Sequence, residues 1–275
     1  MNFFKIVAGG AHLLYMIVAL FAAFPQELKH IHKNRSSVQN MDGEAFPFQG
    51  KRHPSCEIVA IQTGMGAANI ETAFWRVLKE RRPDIVLSAG FGGALYEDAG
   101  IGDIVWSSRS LLIGGDRTER LEHVREDAVP DSPFIRRIGE KLSEKTAAAE
   151  GIIVTLSEMM AKAKIRKLIP VSLPFPVCDM ETYYLAKLSH QNRIPFIALR
   201  SITDRLGEDV PQGLHAVTDE KGQYRFLRAL GLLLAKPKLV PASIKLGRNA
   251  ARASKNLGKA VNSLAEILSA FTLWG

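Results

Sequence analysis

The chain has 275 residues, 47% of them hydrophobic, which allows one sizeable core and one or two domains. Its two cysteines lie far apart without metal-type spacing, so a reducing compartment is the simpler interpretation. The formal charge is +8, but residues 236–275 carry +6 of it, which leaves about +2 on the body. This distribution excludes nucleic-acid binding by the body on grounds of charge.

The N-terminal region contains an apolar run, VAGGAHLLYMIVALFAAF (7–24), that permits two interpretations. It is long enough for a signal peptide or a membrane span, but only Lys5 precedes it, which is a poor flank for both. The other interpretation, which we adopt, is that YMIVALFAAF forms a buried first strand. Residues 1–15 would then be an N-terminal arm, with Met16 as an alternative start residue.

Short apolar segments alternate with helical patterns along the middle of the chain. Strands are predicted at CEIVAIQTG (56–64), DIVLSAGFGG (84–93, running into a glycine turn), GDIVWSS (102–108), GIIVTLS (151–157) and IPFIALRSITD (194–204). Helices are predicted at 67–82, near 132–149 and at 179–192. This order predicts an α/β fold with a largely parallel, covered sheet. Ligands of such sheets bind at the carboxyl ends of the strands.

Two glycine-containing segments lie at predicted strand ends. TGMGAANI, with Gly64 and Gly66, lacks the third glycine of the dinucleotide fingerprint and the lysine of a P-loop. It either starts a helix tightly or approaches a ligand. In AGFGGAL, Gly92 and Gly93 permit close backbone approach or tight packing.

Four acidic or basic side chains also follow or interrupt apolar strands. Arg200 and Asp204 of LRSITD are costly to bury unless they are paired, either with each other or within a functional site. Glu27 of AAFPQEL and Glu181 of VCDMET are either ordinary first-turn helix residues or groups that bind a ligand.

The tail predicts an amphipathic helix over residues 244–271, after Pro237 and Pro241. Its apolar residues recur at steps of three and four, and five Lys/Arg residues occupy other faces. Such a helix packs on its own body or on a second subunit, or it lies on an anionic membrane surface. We treat residues 236–275 as a basic amphipathic helical extension.

Two segments together resemble the nucleoside phosphorylase family, most closely the methylthioadenosine/S-adenosylhomocysteine nucleosidases. They are TGMGAANIETAFWRVLKERRPDIVLSAGFGGALYEDAGIGDIVWSS and VCDMETYYLAKLSHQNRIPFIALRSITD. The most specific feature is Met-Glu in DMET, followed about twenty residues later by Arg-x-x-Thr-Asp in RSITD. The resemblance implies a three-layer fold with a central mixed, largely parallel sheet, and a catalytic domain over residues 16–235.

The resemblance also implies a role for each matching residue. Asp204 would protonate the purine at N7, and Glu27 would be the general base on the attacking water. Arg200 would lie near that water and orient the carboxylates. The substrate-binding residues would be Glu181 on the ribose hydroxyls, Met180 against the sugar, Gly92 and Gly93 along the base, with Phe91, Met159 and Gly64 nearby. No metal or other cofactor is implied.

Some residues depart from the family pattern. Phe91 replaces a small polar residue, Met159 stands about where an aromatic ring stacks on the base, and Tyr183 and Tyr184 replace smaller side chains. These departures concern the substrate, particularly its 5′ group, and leave the acid and the base in place.

The expected activity is hydrolysis of the N-ribosyl bond of a 5′-modified adenosine. One alternative is a phosphate-dependent purine nucleoside phosphorylase, including the hopanoid-associated type, with Arg109 or Arg117 at the phosphate. The other is a non-catalytic nucleoside-binding protein held at a membrane. The expected partners are a small-molecule nucleoside and a second copy of the chain, with no nucleic acid. The expected location is cytoplasmic, with a peripheral contact to the inner membrane through the tail.

Overall fold

The computed structural model describes residues 16–31, 35–39, 45–49, 55–114, 121–123, 132–208 and 240–273. The helices are α1 (Pro25–Leu28), α2 (Ala67–Glu80), α3 (Pro133–Thr146), α4 (Lys162–Leu168), α5 (Thr182–Gln191) and α6 (Val240–Leu273). The first six strands are β1 (Met16–Ala22), β2 (Arg35–Gln39), β3 (Ala45–Gln49), β4 (Cys56–Gln62), β5 (Ile85–Ala94) and β6 (Ile104–Ser107). The others are β7 (Ser110–Ile113), β8 (Leu121–His123), β9 (Ala149–Glu150), β10 (Ile153–Leu156), β11 (Val177–Asp179) and β12 (Phe196–Asp204).

Ten of these strands form one mixed sheet, and β2 and β3 form a separate antiparallel pair. The main path runs β8-β7-β10-β11-β5-β12-β6-β9, with β1 joined to β4 and β5. Six of its pairings are parallel, including β1 with β4 and β5 with β12, whereas β11 runs antiparallel to β5. The predicted α/β class with a mixed, largely parallel sheet is confirmed.

Helices cover both faces of the sheet. Successive residues of a strand point to opposite faces, so each strand contributes side chains to two cores. Along β1, Val18 and Leu20 join a core that includes residues of α3 and α6, whereas Ala19 and Phe21 join a core that includes residues of α2 and α5. All seven residues of β1 are buried, so the interpretation of this segment as a strand is confirmed. The proposed arm at residues 1–15 lies outside the described residues.

The tail helix α6 belongs to the core of the fold. Leu257, Val261 and Leu264 are fully buried in the same cluster as β1 and β5. Burying a leucine or valine side chain stabilises the folded state by about 1.5–3 kcal/mol, so α6 contributes substantially to stability. Of the alternatives for the tail, packing on its own body accounts for this face. The boundary placed at residue 236 lies outside the described residues.

Two local expectations from the sequence were wrong. The segment predicted as a helix from 179 begins as β11, and α5 starts only at Thr182. The strand predicted at 84–93 is confirmed as β5, but the glycine turn into which it was expected to run is not formed there, because the strand continues through its glycines to Ala94. A methyl group at Gly90 would lie 2.9 Å from Glu27 Oε1, so the missing side chain makes room for a neighbouring carboxylate. None of the described helices is long and apolar enough to cross a membrane.

Candidate active site

The site forms where one edge of β5 changes its neighbour. Residues 18–21 of β1 pair with residues 85–88, and residues 177–178 of β11 pair with residues 93–94. Strand β12 pairs with the opposite edge of β5 along almost its whole length. On the first edge, residues 89–92 of β5 pair with neither β1 nor β11, which leaves a gap between these two described strands. A cavity opens there. Its polar lining comes from Glu27, Ser88, Glu181 and Arg200, and its apolar lining includes Phe21, Ile70 and Phe91.

Glu27 reaches this cavity from the short helix that follows β1. Its Oε2 accepts a hydrogen bond from Phe24 N (2.9 Å), and its Oε1 accepts one from Phe91 N (2.8 Å). The side chain is only 3% exposed. Burial raises the pKa of Glu27, although the two backbone hydrogen bonds and the positive charge of Arg200 oppose the shift. A carboxylate held in this way is a stronger base than an exposed glutamate.

Glu181 enters the cavity from the junction of β11 and α5. Its Oε1 accepts from Gly66 N (3.2 Å), and its Oε2 accepts from Met180 N (3.3 Å). Burial, and after it the negative charge of Asp179, raises the pKa of Glu181 to about 8, whereas Arg200 lowers it. Gly66 has φ +90°, a conformation that favours glycine. The glycine segment after β4 therefore contributes a hydrogen bond to the site as well as a helix start.

Arg200 is held on β12 by a buried hydrogen-bond network. Its Nε and Nη2 donate to Asp179 Oδ2 at 2.9 and 2.6 Å, and its Nη2 also donates to Ser88 Oγ and Thr182 Oγ1. Asp179 also accepts from the backbone N–H of Thr182 and from Thr155 Oγ1. The ion pair of Arg200 is therefore with Asp179, and the pairing with Asp204 that the sequence allowed is wrong.

Asp204 lies at the end of β12, opposite Gly93 of β5. Its Oδ2 is ion-paired with Lys162 Nζ, and its Oδ1 lies 2.7 Å from Thr203 Oγ1. On its other edge Gly93 pairs with Cys178, three residues before Glu181. Asp204 and Glu181 thus approach the carboxyl end of β5 from two different neighbours. Asp204 is not among the residues that line the cavity around Glu27.

The other predicted binding residues take up different positions. Phe91 lines the cavity and is half-buried, and Met180 is half-buried beside Glu181. Gly92 lies against Val177 and Arg200, where a side chain would not fit. Gly64 has φ +78° and donates its N–H to Ala23 O. Met159 is 45% exposed after β10 and is not among the residues that line this cavity.

Comparison with known proteins assigns the chain to a family. Residues 17–235 match the model of the phosphorylase superfamily. The chain belongs to the phosphorylase superfamily. The family predicted from DMET and RSITD is thereby confirmed.

Relatives of this superfamily member include nucleosidases at low identity. The 5′-methylthioadenosine/S-adenosylhomocysteine nucleosidase of Shewanella loihica is 22% identical over 227 residues, which cover 79% of this chain and 99% of the relative. That of Staphylococcus saprophyticus is 26% identical over 165 residues, 57% of this chain and 72% of the relative. The S-adenosylhomocysteine nucleosidase structure from Streptococcus pyogenes, in complex with 5-methylthiotubericidin, aligns with TM-score 0.65 at 17% identity, covering 94% and 98% of the two chains.

Sequence reasoning missed two charged partners of the site in this superfamily member. Asp179, which precedes Met180 and Glu181 in DMET, was not assigned to the site, yet it anchors Arg200. Lys162, which pairs with Asp204, was not singled out at all. Little in the sequence indicated a role for Lys162, because the segment KAKIRKL has the pattern of an ordinary basic helix. The contacts of its Nζ with Asp204 and Arg205 distinguish Lys162 from the other lysines of α4.

Proposed function

We propose that this chain hydrolyses the N-ribosyl bond of a 5′-modified adenosine and releases adenine. The observation that carries the proposal is a pair of carboxylates, the buried Glu27 and the half-buried Glu181, on one cavity beside the carboxyl half of β5. The nucleosidase names of the relatives agree with it. The roles below are those that the geometry supports best.

Glu181 would bind the 2′- and 3′-hydroxyls of the ribose. Its Oε1 and Oε2 are held by Gly66 N and Met180 N, which leaves remaining lone pairs for hydroxyl donors. Cleavage of the N-ribosyl bond develops positive charge on the sugar, and this charge favours the ionised form of a carboxyl whose pKa is about 8. The interaction therefore strengthens toward the transition state, which is the requirement for catalysis.

Glu27 would take a proton from the attacking water, and Asp204 would protonate the departing purine at N7. Both Glu27 oxygens accept backbone hydrogen bonds, so the carboxylate is fixed before the substrate arrives. General acid and general base catalysis each contribute typically about 10²–10⁴ in rate. Because Asp204 lies beyond the lining of the cavity, the substrate would have to extend from Glu27 past Gly92 and Gly93 to reach it.

Water suits this cavity better than phosphate as the nucleophile. Of the described residues that line it, Arg200 is the only cation, and its donors already bind Asp179, Ser88 and Thr182. The Glu27 carboxylate on the cavity wall, which must be ionised to act as the base, would repel a phosphate anion. Arg109, considered earlier for phosphate, is exposed and is not part of this lining, and Arg117 lies outside the described residues.

The assay that tests the proposal is adenine release from a panel of nucleosides, including 5′-methylthioadenosine, S-adenosylhomocysteine and unmodified adenosine. We expect adenine release from the 5′-modified compounds at the same rate with and without phosphate. A strict requirement for phosphate would show the phosphorylase alternative to be correct. Nucleoside binding without any release would support the non-catalytic binding protein.

We also propose that the chain is a cytoplasmic homodimer, by resemblance to its family. The two cysteines are free thiols, as expected for a reducing compartment. Sedimentation at micromolar concentration tests the dimer, and a purely monomeric profile would contradict it.

The exposed face of α6 supports a proposed peripheral contact with anionic lipid. Its cations recur at steps of three and four: Lys245, Arg248, Arg252, Lys255 and Lys259, all exposed. Each cation near an anionic surface contributes about 1 kcal/mol of attraction. Because α6 supplies core residues, its deletion would unfold the chain, so charge substitution is the suitable test.

Replacing Arg252, Lys255 and Lys259 by glutamine is expected to weaken sedimentation with phosphatidylglycerol vesicles by about tenfold or more, because three attractive charges are lost. The matched control changes three exposed lysines on other helices to glutamine, Lys79, Lys167 and Lys187, which lowers the net charge equally. Equal binding by the two triple variants would refute a specific membrane face on α6.

A further inference from the structure

A buried lysine lies beside the proposed acid. Lys162 begins α4, is 4% exposed, and forms an ion pair with Asp204 Oδ2. Its Nζ also donates to the backbone carbonyls of Asp204 (3.1 Å) and Arg205 (2.5 Å). Three acceptors at the end of β12 therefore contact the ammonium, and one of these acceptors is the carboxylate itself.

The packing around this pair is close. A methyl group on Gly93 would lie 2.7 Å from Asp204 Oδ2 and 2.9 Å from Lys162 Cε. β5 therefore carries a glycine where the lysine and the aspartate meet. Burying a lysine costs free energy unless its charge is paired, and here the carboxylate of Asp204 offsets that cost. The same carboxylate has the proton-transfer role in the proposed function.

An ion pair at this position raises a chemical question. In this ion pair the ammonium of Lys162 is the donor and the carboxylate of Asp204 is the acceptor. The nearest proton is the one on Lys162 Nζ that faces Asp204 Oδ2. A neutral amine would keep two hydrogens, which match the two backbone carbonyls that Lys162 already contacts.

We propose that Lys162 supplies the proton that Asp204 passes to the leaving purine, so that the general acid is the Lys162–Asp204 pair. This inference rests on the proposed nucleosidase function. The Nζ–H bond breaks as an Oδ2–H bond forms, and the carboxylic acid then protonates N7 as the C1′–N9 bonding electrons pass to the base. The base leaves neutral, Lys162 becomes an amine, and Glu27 takes the proton of the water that adds to C1′. Solvent then returns a proton to Lys162 and removes one from Glu27.

The groups that face the pair are few among the described residues. Cys178 of β11 contacts the same glycine, and burial, then the negative charge of Asp204, raises the pKa of its thiol to about 12. The charge of Lys162 acts on this thiol in the opposite direction, and Asp179 lies behind it on the same strand. A thiol with this pKa stays protonated through neutral pH, so it does not compete for the transferred proton at neutral pH.

Two substitutions separate proton supply from the simple placement of a positive charge. Lys162→Met removes the ammonium. Lys162→Arg keeps a positive charge next to Asp204, but a guanidinium does not release its proton in this pH range. We expect both variants to lower kcat by about 10²-fold or more, with KM changed by less than about threefold. We also expect the alkaline limb of the Lys162→Met kcat profile to lie at least about one pH unit below that of the unchanged chain, because the ammonium that supplies the proton is missing.

The control is Lys167→Met, which removes an exposed lysine of the same helix and should leave kcat unchanged. Thermal melting and adenine binding by each variant establish that it is folded. Retention of kcat by Lys162→Arg, or an alkaline limb of Lys162→Met at higher pH, would overturn the proton-supply role while leaving the nucleosidase function intact. If the unchanged chain releases no base from any nucleoside, the proposed function fails, and this inference fails with it.

Discussion

Replacing Asp204 by asparagine is expected to lower kcat for adenine release by about 10²–10⁴-fold. Asparagine has nearly the same shape but cannot donate a carboxylic acid proton to N7. Under the proposed function the nucleoside is bound mainly by the cavity around Glu27 and Glu181, so KM should change by less than about threefold. The measurement is steady-state kinetics with 5′-methylthioadenosine, following free adenine.

The same substitution also affects stability, because it leaves the buried ammonium of Lys162 without its partner. Breaking a buried ion pair by removing one member costs about 3–5 kcal/mol, so kinetics must be measured well below the melting temperature. Asp98→Asn is the control, since Asp98 is exposed in a turn at φ +60°, which asparagine also adopts. Turnover by folded Asp204→Asn within about threefold of the unchanged chain would remove Asp204 from the mechanism.

Replacing Glu27 by glutamine is the second substitution with a large expected effect. The amide oxygen can still accept from Phe24 N or Phe91 N, but glutamine cannot take a proton from water. We expect kcat to fall by about 10²–10⁴-fold with the nucleoside still bound. Equilibrium binding of adenine and steady-state turnover, measured on the same preparation, separate the two effects.

The pH dependence of the unchanged chain gives an independent check on Glu27. A general base works only when ionised, so turnover should fall as the pH is lowered through the pKa of Glu27. Because burial raises that pKa, this acid limb should lie above the pH range of an ordinary glutamate. The control is Glu71→Gln, which alters an exposed residue of α2 and should not shift the pH at which turnover falls. If turnover stays constant as the pH is lowered to about 4, Glu27 is not the base.

Much of the site could be predicted from the sequence because strand ends are local features. The apolar run before Glu27 and the strand that contains Arg200 and ends at Asp204 both have clear patterns, and parallel strands place their carboxyl ends together. The structure brings Glu27, Glu181 and Arg200 to one cavity, as the family resemblance implied. Asp204 lies at the same end of the sheet, beyond the lining of that cavity.

The partners of these residues could not be predicted, because they depend on contacts between distant segments. A pairing of Arg200 with Asp204 was one of two alternatives, but four residues of a strand span about 13 Å, so each side chain pairs with a different neighbour. Asp179 reaches Arg200 only because β11 precedes α5, and a strand of three residues has no reliable pattern.

The glycines of β5 and the tail helix illustrate the same limit. A run of glycines predicts a turn from local propensity, but here Gly90 and Gly93 leave room for charged side chains from other elements, Glu27 beside Gly90 and Asp204 beside Gly93. The apolar and basic faces of the tail were visible and packing on its own body was one of the alternatives, but the segments that cover Leu257 and Val261 were not predictable. Amphipathicity identifies a buried face without identifying what covers it.

The most direct test of hydrolysis is the origin of the oxygen on C1′ of the sugar product. The reaction would be run in ¹⁸O-labelled water with excess phosphate, and the released sugar would be analysed by mass spectrometry, with allowance for exchange of the anomeric oxygen. Water activated by Glu27 gives a free 5-substituted ribose that carries one label, with adenine released in equal amount. A ribose 1-phosphate as the sugar product would contradict this account.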